Sequence, residues 1–173
     1  MFETTRLFIS PMQEKDCEEV RLLHNDWETL KWLSDTHSVE PQEQISWFHK
    51  LDQSKTSKRY LARLKGNSQL VGVFRIDKLD LENRSAEVGL DVAVQYRRQG
   101  FANEIYTEMF NFLFNVLKLH RLSLVTLETN AAAISLYEKL GFVKEAILKD
   151  AFFRDSKFVN AILYSLISEE KVD

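Results

Sequence analysis

Apolar and polar residues alternate with a period of two in three stretches near the middle of the chain. These stretches are residues 59–64, 69–76 and 85–94, and polar segments at 65–68 and 80–84 separate them. A period of two places every second side chain on one face of a strand, and short polar segments between such strands are typical of hairpin turns. The pattern therefore predicts an antiparallel meander.

Apolar residues recur at helical spacing in the first part of the chain. Residues 15–23 predict a short helix with Val20, Leu22 and Leu23 turned inward. Pro41 suits the first position of a second helix, since its fixed φ angle fits there and its missing N–H is not needed. We therefore expect two helices ahead of the meander.

The second half of the chain alternates helices with strands. A helix at 102–117 is expected to pack an apolar stripe against a sheet. The stripe consists of Ile105, Met109, Phe110, Leu113, Val116 and Leu117. Further strands are expected at 6–9, 121–127, 142–146 and 158–166, with a helix at 131–140. A meander followed by a β-α-β unit predicts an α/β protein with a mixed, mostly antiparallel sheet flanked by helices. No repeat or linker divides the chain, so we expect a single domain, 1–173.

Composition and charge narrow the class of protein. A formal net charge of −3 argues against nucleic acid as a partner, since phosphate binding calls for a basic face. The single Cys17 and the scattered His24, His37, His49 and His120 lack the spacing of metal ligands, so we expect no metal. No apolar run approaches the ~20 residues of a membrane span, and the first residues do not resemble a signal peptide. We expect no membrane association and a cytoplasmic location.

A glycine turn precedes the longest predicted helix, with the sequence Arg97-Arg98-Gln99-Gly100-Phe101-Ala102. A diphosphate needs several backbone N–H groups directed at one point, and a glycine turn that leads into a helix supplies them together with the positive end of the helix dipole. Gly100 permits close approach, Ala102 keeps the next position small, and Arg97 or Arg98 adds charge. An ordinary loop glycine is the simpler alternative for this segment taken alone.

A second motif follows downstream, Asn130-x-x-Ala133-x-x-x-Tyr137-x-x-x-Gly141-Phe142. On a helix, Asn130, Ala133 and Tyr137 share one face. They also suit purely structural roles, with Asn130 as an N-cap, Tyr137 as packing at the core edge and Gly141 as the residue that ends the helix. A phosphate-binding turn followed by a helix that carries one inward tyrosine nevertheless indicates an acyl-CoA enzyme.

These two motifs resemble the signatures of the GNAT superfamily of N-acetyltransferases. The segment from Val92 to Ala102 is similar to the acetyl-CoA signature, with Val94 where many members have Pro and Arg98 where many have Gly. The downstream motif is met in full, and the order of elements agrees over essentially the whole chain. The resemblance implies the GNAT fold, with splayed strands in its central sheet, and acetyl-CoA as cosubstrate.

The resemblance also implies roles for individual residues. Tyr137 would act as the acid that protonates the departing CoA thiolate, and Glu87 as the base, directly or through water. Gly89 would mark a strand bulge, and the backbone N–H of Val92 or Val94 would bind the oxyanion. The residues expected to bind the cofactor are Val92, Ala93, Val94, Arg97, Arg98, Gln99, Gly100, Phe101, Ala102, Asn103 and Asn130.

The nature of the acceptor stays open at this point. The chain is similar to three groups: bacterial ribosomal-protein N-terminal, spermidine and amino-sugar acetyltransferases. Residues 86–90 resemble all three, and residues 152–160 resemble the spermidine enzymes. Residues 24–25, Trp32 and residues 43–48 resemble the amino-sugar enzymes. We expect acetyl transfer to the primary amine of a polyamine or amino sugar through a ternary complex. A protein N-terminus as acceptor and a non-catalytic CoA-binding module are the alternatives.

The first helices would cover the acceptor side in this family, and they contain two notable groups of residues. The tryptophans are Trp27, Trp32 and Trp47. We expect them to serve packing, and the alternative is that one of them lines the acceptor pocket. The acidic residues are Asp26, Glu28, Asp35 and Glu40. They either attract a cationic amine or form a solvated acidic surface. Exposed edge strands of such sheets often pair, so a homo-oligomer is also expected.

Overall fold

The computed structural model describes residues 1–168, which form eight strands and five α-helices. The strands are β1 (Phe2–Glu3), β2 (Leu7–Pro11), β3 (Lys58–Leu64), β4 (Leu70–Asp80), β5 (Ser85–Val92), β6 (Arg121–Leu127), β7 (Val143–Arg154) and β8 (Lys157–Ile167). The helices are α1 (Cys17–Asn25), α2 (Trp27–Leu30), α3 (Pro41–Gln53), α4 (Phe101–Phe110) and α5 (Ala131–Lys139). Two 3₁₀ turns, Glu14–Asp16 and Val94–Tyr96, and a π-helical segment, Asn111–Val116, complete the list.

All eight strands belong to one sheet, in the order β1-β2-β3-β4-β5-β6-β8-β7. Every neighbouring pair is antiparallel except β5 and β6, which are parallel. The mixed, mostly antiparallel sheet is thus confirmed, and the predicted meander corresponds to β3, β4 and β5. The last of these strands ends at Val92 rather than at residue 94, because Val94 begins a 3₁₀ turn.

Helices cover both faces of the sheet and divide the core in two. On one face, α4 and α5 contribute Ile105, Tyr106, Met109 and Tyr137 to the larger cluster of buried residues. On the other face, α1 and α3 contribute a second cluster; its helical members are Cys17, Val20, Leu23, Phe48 and Leu51. The sheet therefore separates two hydrophobic clusters, each covered by its own pair of helices.

Two residues that the helical pattern placed on inward faces are exposed in the structure, so these two predictions are wrong. Leu22 of α1 is 56% exposed, because it lies about 200° around the helix from buried Val20. Val116 is 65% exposed, because the last turns of the third predicted helix are π-helical. The N–H of Leu117 donates to the carbonyl of Phe112, and this wider turn rotates later side chains away from the stripe.

The end of the chain differs most from expectation. The short strand predicted at 142–146 is the start of the long strand β7, which forms a hairpin with β8. Asp155 and Ser156 make the two-residue turn, both with positive φ, at 48° and 61°. Such a turn matches the twist of the strands but normally takes Asn-Gly or Asp-Gly. Without a glycine here, the sequence pattern did not reveal it. The helix α2 was also missed, since it spans only one turn.

Candidate active site

The sheet opens between β5 and β6. Their parallel pairing runs only from Ser85↔Arg121 to Glu87↔Ser123, although β5 continues to Val92. On its other side, β6 pairs with β8 along its whole length. Beyond Glu87 the two strands therefore separate, and the edge of β5 that faces β6 is open to a ligand.

The turn between β5 and α4 has the backbone that the glycine motif predicts. Gly100 is the N-cap of α4 and lies in the left-handed region at φ 81°. The first N–H groups of a helix have no partner within it and form the positive end of its dipole. Ala102 is half-buried and Asn103 exposed on this first turn, while Gln99 and Gly100 are exposed beside it. This arrangement fits a diphosphate.

Arg98 is a second left-handed residue of the same turn, with φ 58°. The family signature has Gly here, and glycine adopts this conformation without strain. Replacing it with Arg keeps the backbone shape and adds an exposed guanidinium next to the helix N-terminus. The departure from the signature therefore changes charge rather than the path of the chain.

An arginine far away in sequence holds the turn in place. The Nη1 of Arg6 donates to the carbonyl of Gln99 at 3.0 Å, and its Nε donates to Glu104 on α4 at 2.7 Å. Its guanidinium also lies 3.9 Å from the ring centroid of Phe101, which is buried. Thr4 donates to the same carboxylate of Glu104. No sequence motif pointed to Arg6, because its partners lie about a hundred positions downstream.

Arg97 does not point its charge at the turn, contrary to one of the two options that the sequence left open. Its Nε donates to the carbonyl of Val92 at 2.9 Å. Its two terminal nitrogens donate to the carbonyl of Glu28 at 2.9 Å and to the hydroxyl of Thr29 at 2.7 Å, both on α2. Arg97 therefore ties the end of β5 to α2, and Arg98 is the arginine left for a phosphate.

The end of β5 directs a backbone donor into the gap. The N–H of Ala93 donates to the carbonyl of Val71 on β4 at 2.9 Å. Because N–H groups point alternately to the two sides of an extended strand, that of Val92 points away from β4, toward the gap; Val94 already belongs to the 3₁₀ turn, where this alternation ends. This is the position in which the sequence expects an oxyanion donor.

Tyr137 lies on α5 and is buried, with 9% of its surface exposed. Its ring meets those of Tyr106 and Phe142 edge-on, at centroid distances of 6.2 and 5.8 Å. Burial raises the pKa of its phenol, while the charge of Arg75 acts in the opposite direction. The hydroxyl is consequently protonated at neutral pH, as an acid must be before it donates.

The residues around Tyr137 also have structural roles. The side chain of Asn130 accepts from the N–H of Ala133 at 3.2 Å and caps α5. Gly141 ends the helix in a left-handed conformation, with φ 89°. The N–H of Phe142 donates to the carbonyl of Tyr137. The simple capping interpretation of Asn130 and Gly141 is therefore confirmed, and it fixes the direction in which Tyr137 points.

A cavity of about 590 Å³ lies on the opposite face of the sheet, beneath α1 and α3. Its apolar wall is formed by Val20, Leu23, Leu33, Val39, Val73 and Trp47. Its charged side chains are Asp35, Glu43, Lys50, Arg59, Arg75 and Asp91. The volume suits a small molecule. Asp91 lies on the part of β5 that continues beyond its pairing with β6, so this cavity borders the place where the strands separate.

The sequence predicted a strand bulge at Gly89, and this prediction is wrong. The glycine instead makes room for the side chain of Arg75. The register of β4 and β5 runs without a shift from Gly72↔Val92 to Asp77↔Glu87. A Cβ at Gly89 would lie 2.5 Å from the Nη2 of Arg75. The guanidinium therefore rests directly on the bare backbone of Gly89.

Glu87 is held outside this cavity. Its carboxylate accepts from the Nζ of Lys78 at 2.8 Å, and it is absent from the lining residues. Asp91, four residues further along the same face of β5, does line the cavity and lies 3.6 Å from the Nε of Arg75. The sequence missed Asp91 and Arg75, because only the pairing of β4 with β5 shows that their side chains meet.

The residues singled out in the first helices divide between two roles. Trp47 and Asp35 line the cavity, whereas Trp27 is 65% exposed. Asp26 caps α2, and Glu40 caps α3. Two of the four acidic residues thus stabilise helix ends, and Asp35 is the member that lines the cavity.

The described part of the chain holds neither a metal-binding cluster nor a membrane-spanning helix. Within residues 1–168, no group of three or more His, Cys, Asp or Glu side chains is arranged to hold a metal ion. None of the helices in the same range has the length and apolar character needed to cross a bilayer.

A divided sheet with a glycine turn at the start of a helix and a cavity on its other face is the architecture of an acyltransferase that uses CoA thioesters. A family model described as an acetyltransferase (GNAT) domain matches residues 6–143, and the chain belongs to this family. The resemblance inferred from the motifs and the GNAT fold are thereby confirmed. The protein is an acetyltransferase, with acetyl-CoA as its cosubstrate.

Individual relatives share about a quarter of their residues with this chain or fewer. The uncharacterized N-acetyltransferase YoaA of Bacillus subtilis is 26% identical over 170 residues, 96% of each chain. The spermidine N(1)-acetyltransferase of Vibrio cholerae is 23% identical over 156 residues, 89% of this chain and 88% of that one. A crystal structure of spermidine N-acetyltransferase from Vibrio cholerae with CoA and spermine superposes with a TM-score of 0.88 at 21% identity, covering 95% of this chain and 96% of that chain. At this identity the structural likeness shows the shared fold.

Proposed function

We propose that the enzyme transfers the acetyl group of acetyl-CoA directly to the primary amine of a small molecule, within a ternary complex. The observation that carries this proposal is the cavity of about 590 Å³, which lies on the face opposite the phosphate-binding turn and reaches the gap between β5 and β6. The two substrates can then approach from opposite sides and meet at the gap. Polyamines and amino sugars are the acceptor classes that the sequence suggested.

The turn and the gap are proposed to hold the cosubstrate. The first turn of α4, with Gly100, Phe101, Ala102 and Asn103, would receive the diphosphate through its backbone N–H groups. Arg98 and Gln99 would flank it, and Val92 to Val94 would line the pantetheine path. Asn130, as the cap of α5, would border the same opening. The bound thioester supplies the acetyl group.

Two proton transfers are needed, and the chain offers a candidate for each. An alkylammonium with a pKa of about 10 must lose a proton before it attacks. Glu87, acting through water, stays the predicted base, although its bond to Lys78 and its place outside the cavity favour Asp91 as a competitor. Tyr137 is the proposed acid for the departing thiolate, because its phenol is buried and protonated. A Glu87→Gln enzyme with an unchanged pH–rate profile would remove Glu87 from this role.

Two alternatives are tested alongside. A protein N-terminus as acceptor would need room for the peptide chain that follows its amine. A non-catalytic CoA-binding module would not require a buried, protonated phenol such as that of Tyr137. We also propose a homo-oligomer, because the edge strand β7 leaves large apolar side chains exposed; these are Val143, Ile147, Leu148 and Phe153.

The proposal is tested by following CoA thiol release and product mass with acetyl-CoA and a panel of acceptors. The panel contains spermidine, amino sugars, amino acids and a short peptide with a free N-terminus. Tyr137→Phe should lower kcat by about 10²-fold or more, the scale of one lost acid. Tyr164→Phe is the matched control, because Tyr164 is equally buried and its ring packs against Tyr137 at 6.1 Å.

Each result has a definite meaning. Turnover of a small amine that depends on Tyr137 but not on Tyr164 supports the proposal. Turnover of the peptide alone would replace it with N-terminal protein acetylation. Acetyl-CoA binding without turnover of any acceptor would favour the CoA-binding module.

A further inference from the structure

The floor of the acceptor cavity carries a guanidinium with unused donors. The Nε of Arg75 is buried and makes no hydrogen bond within residues 1–168. Its nearest ionic partner, Asp91, lies 3.6 Å away, which is beyond normal hydrogen-bond length. Such a buried donor is costly unless it is satisfied. Arg75 therefore has the properties of a residue that awaits an anionic partner.

The second arginine in the cavity, Arg59, has hydrogen-bond partners within the protein. The Nη1 of Arg59 lies 2.9 Å from the carboxylate of Asp77 and also donates to the carbonyls of Lys58 and Ile76. Its guanidinium is thus satisfied by the protein, and it serves the fold. Arg75 differs because it lines the cavity with a buried Nε that has no hydrogen-bond partner within residues 1–168.

Arg75 also lies close to the point of transfer. Its guanidinium rests on Gly89, on the strand that borders the gap, and its charge acts on the phenol of Tyr137. The proximity of Asp91 raises the pKa of Arg75, so it stays charged at every pH at which the enzyme is folded. A cation and an anion of the protein thus lie side by side where the acceptor must bind.

We propose that the acceptor is an amino carboxylate, meaning a primary amine with a carboxylate only a few bonds away, as in an amino acid. Asp91 would bind the amine nitrogen, and the fork of Arg75 would bind the carboxylate through paired hydrogen bonds. The separation of 3.6 Å between Arg75 and Asp91 fits an acceptor whose two charged groups are close neighbours. This inference rests on the proposed function and narrows its acceptor.

The other lining residues of the cavity indicate the size and polarity of the acceptor's side chain. Val20, Leu23 and Leu33 supply aliphatic surface, and Trp47 supplies an aromatic face. A cavity of about 590 Å³ has room for a large side chain beyond the two charged groups. An apolar amino acid side chain meets these requirements. A polyamine meets them less well. It has no group for Arg75 to bind, and the three carboxylates of the cavity are already balanced by the three cations Lys50, Arg59 and Arg75.

The experiment compares matched acceptors with the wild-type enzyme. L-Methionine and L-phenylalanine are each paired with the corresponding carboxamide, and spermidine, glucosamine and glucosamine 6-phosphate complete the panel. We expect kcat/KM for the carboxylate to exceed that for the carboxamide by about tenfold or more, the effect of charge-assisted hydrogen bonds. The comparison is stringent, because the carboxamide's amine loses its proton more readily.

Variants locate the preference within the cavity. Arg75→Gln should bring the ratio of carboxylate to carboxamide turnover close to one. Arg63→Gln is the control, because Arg63 pairs with Asp16 and Glu19 and does not line the cavity; it should keep the wild-type ratio. If Arg75→Gln does not fold, the wild-type ratio alone decides the question.

Several results would overturn this inference. Equal turnover of carboxylate and carboxamide, or preferred turnover of spermidine or of either glucosamine, would exclude the amino carboxylate while leaving acetyl transfer to a small amine intact. Loss of turnover for all amines would instead remove the proposed function, and this inference with it.

Discussion

The turn proposed to bind phosphate and the cavity proposed to bind the acceptor are formed by different parts of the chain. The turn consists of backbone, with Gly100 and Arg98 in left-handed conformations and the first N–H groups of α4 exposed. The cavity consists of side chains, with Arg75 and Asp91 set against an apolar wall. A backbone site recognises a group shared by all members of a family, whereas a side-chain site can change its specificity through a few substitutions.

This difference predicts that each site can be damaged without harm to the other. The largest effect is expected at Gly89, where an added Cβ would lie 2.5 Å from the Nη2 of Arg75. The guanidinium is the mobile end of a side chain, so Gly89→Ala should displace it and leave the fold intact. Loss of its charge-assisted hydrogen bonds should raise the acceptor KM by roughly 10- to 100-fold.

The measurement for Gly89→Ala is a steady-state titration of each substrate in turn. The acetyl-CoA KM should stay within about twofold of wild type, within the error expected for an independent site. Gly66→Ala is the matched control, because a Cβ at Gly66 meets no atom within 4 Å. An acceptor KM equal to that of Gly66→Ala would show that the position of Arg75 does not matter for binding.

A smaller effect is expected at Gly100, and it concerns the KM for acetyl-CoA instead of the KM for the acceptor. Its φ of 81° costs a non-glycine residue about 1–2 kcal/mol. If part of this strain distorts the turn, Gly100→Ala raises the acetyl-CoA KM by about 5- to 10-fold and leaves the acceptor KM unchanged.

Gly141 provides the control for strain alone. It has a similar φ of 89° but lies at the end of α5, outside the turn. Gly141→Ala should lower the thermal midpoint about as much as Gly100→Ala, without changing the acetyl-CoA KM. Equal acetyl-CoA KM values for the two variants would remove the special role of the turn.

The smallest effect concerns a surface ion pair outside both sites. Hydrogen bonds from Arg121 and Ser165 lower the pKa of Glu145 from its ordinary value of 4.5 to about 2. A carboxylate with a lowered pKa stabilises the fold above its ordinary pKa, and this contribution is lost as the pH falls from 4.5 to 2. Glu145→Gln should therefore lower the urea midpoint slightly at pH 7 and have no effect below pH 2. Neither KM should change at pH 7, and a changed KM would connect this pair to catalysis.

Much of the fold followed from local patterns in the sequence. The meander, α4 and α5 have strong periodicity and clear end signals, and Gly100 and Tyr137 belong to motifs of fixed spacing. The hairpin turn at Asp155 and Ser156 was missed, because its positive φ angles fall on residues that rarely signal such a turn. The phase of the helix end at Val116 was missed because a π-helical segment does not follow the usual period.

The charged part of the site was harder to predict, because its contacts join distant parts of the chain. Arg6 meets Gln99, Arg97 meets Thr29, and Arg154 donates to the carbonyl of Leu33 at 2.7 Å. No local sequence pattern predicts such contacts. Arg75 and Gly89 illustrate the problem, since the glycine suggested a bulge until the paired strand showed which side chain occupies the space.

The separation of the two sites is tested most directly by combining their variants. Both KM values are measured for Gly89→Ala, Gly100→Ala and the double variant. The account predicts that the double variant shows each single change at its original size, with a coupling free energy below about 0.5 kcal/mol. A coupling above about 1.4 kcal/mol, a tenfold deviation from the product of the single effects, would contradict the division of the two sites between the faces of the sheet.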